Sequence, residues 1–174
     1  MSAYPWKIYG AFELDKNSPK AWQALFRNAV LSPTGLADAA GVYVIAVTNR
    51  ERNRIRYIGM TYKLGFAAEI FSQRNLECVW DIIRLERSKT IRVWLFAKPY
   101  PKRPGFSVDR RLYRQAHLLE QLLIMHARAA GHTLINTKKM QSAEGIAAQG
   151  LFGTRMRGPR PSAAEIIGTA LKMW

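Results

Sequence analysis

The chain has 174 residues, 48% of them apolar, and a formal net charge of +15. The apolar share excludes global disorder and suits one hydrophobic core with a short tail, while the charge favours a polyanionic partner, nucleic acid ahead of membranes or acidic proteins. No run approaches the roughly 18 apolar residues that cross a bilayer, and the first ten residues lack a signal-peptide pattern, so the expectation is a cytoplasmic protein without integral membrane association.

The basic excess is concentrated after residue 40, since the first 40 residues are nearly balanced. A single cysteine, Cys78, has no internal disulfide partner and lies in the apolar stretch Leu76-Glu77-Cys78-Val79-Trp80. That context reads as core and is compatible with a reducing compartment.

Residues 1–17 read as an arm whose aromatics lie against the core. Ser18-Pro19 offers a cap and a first-turn proline, and Trp22, Leu25, Phe26 and Ala29 recur on one face, which predicts a helix ending before Ser32-Pro33. Residues 41–48 are rich in β-branched and aromatic side chains, and residues 54–60 alternate charged and apolar positions; together they predict two antiparallel strands. The bridge Asn49-Arg50-Glu51-Arg52-Asn53 is their exposed turn, with Arg50 and Arg52 placed for phosphate contact or simple solvation.

Helical spacing continues over residues 66–74 and 76–87, as a helix pair or one bent helix, and residues 90–98 read as a third strand. The proline-rich loop that follows contributes Lys102 and Arg103. A long helix is predicted from Ser107 to Ala130, burying Leu112, Ala116, Leu119, Leu123 and Ala127 and stopping at Gly131. Arg110, Arg111 and Arg114 form a basic cluster near its start, for phosphates or for solvent. Leu134-Ile135-Asn136-Thr137 is a closing strand, and residues 162–173 are a short helix. Between them Arg155, Arg157 and Arg160 sit among glycines and Pro159, available to nucleic acid or to a second subunit, or a solubilising tail.

The segments Gly41-Val42-Tyr43 and Tyr57-Ile58-Gly59, the latter followed by Met60-Thr61, resemble the paired motifs of the GIY-YIG nuclease family. Glu120 within the long helix and Asn136 after it fall in the same order, so the resemblance covers roughly residues 40–138. It implies an α/β (α+β) fold with a small central three-stranded antiparallel sheet flanked by helices. The domain is then 40–138, preceded by an arm and helix (1–39) and followed by a basic extension (139–174).

The resemblance further implies hydrolysis of DNA phosphodiesters with Mg²⁺, or Mn²⁺, held by Glu120, and with Tyr43 or Tyr57 activating or positioning water; RNA and a homo-oligomer stay open. Gly41, Gly59 and Asn136 are structural in this reading. The family's helical arginine has no counterpart eight residues past Gly59, where the chain has Ala67-Ala68. Arg74, seven residues and about two turns further on, is the expected substitute on the same helical face, with Arg114 another source and Lys63 a further phosphate contact. His117, one turn before Glu120, reads as structural, and the histidines and lone cysteine form no recognised zinc signal. The competing readings are a catalytically impaired module that binds nucleic acid or assembles with protein, and, more distantly, a binder of acidic lipid or protein.

Overall fold

The structure, a computed structural model, describes residues 5–15, 26, 35–49, 52–86, 90–107, 110–135 and 162–171. It is an α+β fold built on a four-stranded antiparallel sheet. The strands are β1 (Lys7–Asp15), β2 (Gly41–Asn49), β3 (Arg52–Thr61) and β4 (Thr90–Ala97), in the order β1-β4-β2-β3. The helices among the described residues with printed bounds are α1 (Phe66–Ile70), α2 (Gln73–Glu86), α3 (Arg110–Ala129) and α4 (Ser162–Ala170).

The three strands expected from sequence are present, with the GVY strand β2 between β3 and β4. The expected three-stranded sheet is enlarged because the N-terminal arm pairs with the outer edge of β4, from Lys7 opposite Ala97 to Asp15 opposite Thr90. Trp6, Ile8 and Leu14 of that arm are buried, so its apolar side chains join the core while its backbone satisfies an edge that would otherwise be open. The predicted 18–34 helix lies outside the described residues apart from Phe26, which is fully buried.

The period-2 pattern of β2 sends alternate side chains to two cores. Val42, Val44 and Ala46 face α3 and α4, packing with Leu112, Leu119, Leu123 and Ile167. Tyr43 and Ile45 face the opposite layer, with Phe66, Ile70 and Val79 of α1 and α2. The apolar stripe expected on α3 is therefore the buried one, and α4 belongs to the same core as the sheet.

Two connections set up the site. The first N–H groups of α1 are satisfied by the segment that leads into β2, Phe66 donating to Ala39 O and Ala67 to Ala37 O, which fixes this short helix under β2. At the other end, Gly131 N–H to Arg128 O and His132 N–H to Ala127 O close α3 in a Schellman motif. The chain then turns beside β3, where Ile135 N–H donates to Arg56 O. Of the expected closing strand, Leu134 and Ile135 are described, Ile135 making this hydrogen bond and Leu134 packing against the core, while Asn136 and Thr137 lie outside the described residues. No described helix is long and apolar enough to cross a membrane.

Candidate active site

Register decides which side chains meet. Tyr43 lies opposite Gly59 and Ile45 opposite Tyr57, so the two tyrosines share one face as diagonal neighbours across β2 and β3. Their rings stack with centroids 5.9 Å apart and planes 18° from parallel. Gly59 makes this possible: a Cβ there would lie 2.6 Å from the Tyr43 hydroxyl oxygen and 2.7 Å from Tyr57 Cε1, so any side chain would displace both rings. Gly41 has an equivalent reason, since a Cβ would run into Phe96 O and come within 2.8 Å of the Phe66 ring. Both motif glycines are thus places where another group occupies the side-chain volume.

Behind the tyrosines sits Asn75, which the sequence reading did not single out. It lies one position before the predicted apolar helix stripe, and Val79 and Ile82 put it on the buried face of α2 at helical spacing. Only 4% exposed, its Nδ2 donates to Tyr43 Oη at 3.1 Å and to Glu69 O at 2.6 Å, and its Oδ1 accepts from Tyr57 Oη at 3.3 Å. Glu69 Oε1 is a longer contact at 3.4 Å. A polar residue at a helix position otherwise given to core was the available signal; its meaning depended on which face of the sheet that helix covers.

Tyr43 is 1% exposed. Burial, then the charges of Tyr57 and Glu69, hydrogen bonding with Tyr57 and the charge of Glu120 all push its hydroxyl far above the usual tyrosine range. Its hydroxyl is held as a neutral phenol that accepts from Asn75. Tyr57 is half-buried and is the tyrosine better placed to meet water.

Glu120 is fully buried on α3, the helix of the other layer. His117 Nδ1 is 3.6 Å from Glu120 Oε2, and the other ring nitrogen is 3.1 Å from Gln121 Nε2. His117 in turn stacks on Tyr113, and Tyr113 meets Tyr62 edge to face, so an aromatic row leads from the exposed Tyr113 ring to the carboxylate.

Arg74 does not stand two turns along the helix of Ala67. The chain breaks at Phe71-Ser72, with Ser72 N–H on Glu69 O, so Ala67 belongs to α1 and Arg74 to α2 and the shared-face argument does not apply. Its side chain, like those of Arg110 and Arg111, is outside the described set, as are residues Arg50, Arg155 and Arg157. Lys63 and Arg114 are exposed, and so are Lys102 and Arg103, the latter over the Tyr100 ring at 3.9 Å.

Among the described residues no three His, Cys, Asp or Glu side chains gather as a metal cage. Mg²⁺ commonly takes one or two carboxylates and completes its shell with waters and substrate phosphate, so the hard oxygens of Glu120 fit such an ion in donor type, though not as a dedicated cage. Comparison of the chain with protein-family models, with curated proteins and with solved structures finds no match.

Proposed function

We propose that this protein is a GIY-YIG-like endonuclease that hydrolyses DNA phosphodiester bonds with a divalent cation. What supports the reading is the convergence of Tyr43 and Tyr57 over Gly59, the residues of the two paired motifs. The net charge of +15 supplies attraction for the polyanion.

In this proposal Tyr57, the more accessible phenol, positions the attacking water, and Tyr43 stays protonated beneath it and orients the Tyr57 ring. Asn75 fixes both hydroxyls, so the pair is set before substrate arrives. Glu120 would hold Mg²⁺ or Mn²⁺, and such an ion would supply Lewis-acid polarisation of the phosphate. Arg74 or Arg114 offsets charge on the phosphate, and Lys63, Lys102 and Arg103 extend the contact with the backbone.

A second reading has a specific observation in its favour. Tyr43 and Glu120 are 1% and 0% exposed, so the groups that would do chemistry lie beneath the surface. A module that keeps the fold and the basic surface but binds without cutting has the same features.

The test is incubation of the protein with plasmid, linear duplex, single-stranded and branched DNA and with RNA, in Mg²⁺, in Mn²⁺ and in EDTA, beside Glu120→Ala. Metal-dependent cuts absent from the variant support the nuclease. Substrates bound but left intact in every metal overturn it in favour of the binding module.

A further inference from the structure

Where β3 leads into α1, Tyr62 meets Tyr113 of α3, the ring centroids 5.3 Å apart and the planes at 66°. Tyr113 also lies against His117, one turn further along the helix, with planes 4° from parallel and centroids 6.2 Å apart, the offset form of aromatic stacking. Although two rings hold it, Tyr113 keeps 49% of its surface open. We infer that Tyr113, held by Tyr62 and His117, is a stacking platform for an unpaired base, so that the nucleic acid this protein takes is single-stranded at that point. The inference rests on the nucleic-acid reading above but not on cleavage.

Stacking costs least where the aromatic surface is already ordered. His117 is fixed in its turn by Glu120 Oε2 at 3.6 Å and by Gln121 Nε2 at 3.1 Å. Leu112 and Ala116, beside Tyr113 on α3, are buried in the core, so the helix under the ring is anchored. A tyrosine has only two side-chain torsions to immobilise, which keeps the entropy loss on binding small.

The groups beside the rings select the ligand. Lys63 directly follows Tyr62 and Arg114 directly follows Tyr113; both are exposed, and neither has an ion-pair partner among the described residues. An aromatic face flanked by cations matches a nucleotide, which joins a flat π-system to a phosphate. In a duplex the base faces are covered by neighbouring pairs, so only an unpaired base can lie on the ring. An acidic peptide or lipid would use the cations but has no flat base to set on Tyr113. The platform also adjoins the candidate active site: Tyr62 is three residues past Gly59, and Tyr113 is seven residues before Glu120, about 10 Å along the helix axis and on the same face.

The experiment measures fluorescence anisotropy of a labelled oligothymidylate and of an abasic strand of the same length, in EDTA over ~50 to ~200 mM salt. The two strands carry the same phosphates and differ only in the bases. Wild type is expected to bind the thymidylate about five- to thirtyfold more tightly, the lower part of the range for stacking of one base. Tyr113→Ala is expected to lose that preference while keeping its affinity for the abasic strand. Its salt dependence is expected to keep the same slope, because no phosphate contact is removed. Tyr113→Phe, which retains the ring, is expected to retain the preference.

The inference is overturned if wild type binds the two strands equally or binds neither, if the preference survives in Tyr113→Ala, or if Tyr113→Phe loses as much of it as alanine does. The wild-type comparison involves no substitution, so a folding defect in a variant still leaves a decisive result. Cleavage scored separately in Mg²⁺ keeps the two proposals apart: base-dependent binding without cutting sinks the nuclease and leaves the platform, and cutting by a protein indifferent to the bases does the reverse.

Discussion

Asn75 donates a side-chain hydrogen bond to Tyr43 across 3.1 Å, joining α2 to the central strand of the sheet in a place sealed from water. The same amide accepts from Tyr57, so one buried side chain sets the orientation of both rings.

Replacing it by alanine is expected to leave buried hydroxyls short of partners and to cost about 1–3 kcal/mol in urea unfolding. Asn75→Asp keeps the acceptor for Tyr57 but loses the donor to Tyr43 and sets a carboxylate beside Glu69 Oε1, so it is expected to cost at least as much. Losses below about 0.5 kcal/mol in both variants contradict the bridging role.

The raised Tyr43 hydroxyl has a pH signature. In the unfolded chain a tyrosine ionises near pH 10, whereas the folded state holds Tyr43 protonated well beyond that. The folded state then binds more protons than the unfolded one, so the contribution is fully present below about pH 10 and is lost as pH rises above it, by up to about 1.4 kcal/mol per unit. Urea unfolding of wild type and Tyr43→Phe between about pH 8 and 11 is expected to show a shallower alkaline decline in the variant. Parallel declines contradict the assignment.

Gly59→Ala places a methyl group where the Tyr43 hydroxyl and the Tyr57 ring now lie. Overpacking of this kind costs about 1–3 kcal/mol, and the rings must separate. Near-ultraviolet circular dichroism should change along with the unfolding midpoint, and an unchanged spectrum would count against the stacked arrangement.

The pairing of β1 with β4 includes a surface ion pair, Arg92 Nη2 to Glu13 Oε1 at 2.6 Å, supported by Nε on the same oxygen at 2.8 Å. Glu13 is more than half exposed, so the double-mutant coupling energy is expected to fall between about 0 and 1 kcal/mol, whereas Leu14→Ala, buried in the same strand, is expected to cost about 2–5 kcal/mol. A coupling energy above the leucine cost would reverse this ranking of what holds the edge strand.

Much of the architecture was legible in local pattern. The β-branched run 41–48, the alternation of 54–60, the stripe Leu112-Ala116-Leu119-Leu123-Ala127 and the stop at Gly131 each reflect a period or a capping preference carried by neighbouring residues. The pairing of the two tyrosine motifs was legible for the same reason, since a hairpin sets its own register. The N-terminal strand was not, because β1 has no strand nearby in sequence and pairs with β4 some 80 positions away, from Glu13 to Arg92.

Only the tertiary structure decided the rest. That Asn75 faces the tyrosines depends on a helix break at Phe71-Ser72, which also separates Ala67 from Arg74 and removes the two-turn relation between them. That Glu120 is buried, and that Tyr62 meets Tyr113, depends on where helices distant in sequence dock. Sequence fixes which face of an element is apolar through its own periodicity. Which elements cover that face is set by packing between residues far apart in the chain, and the chemistry of this site lies at those junctions.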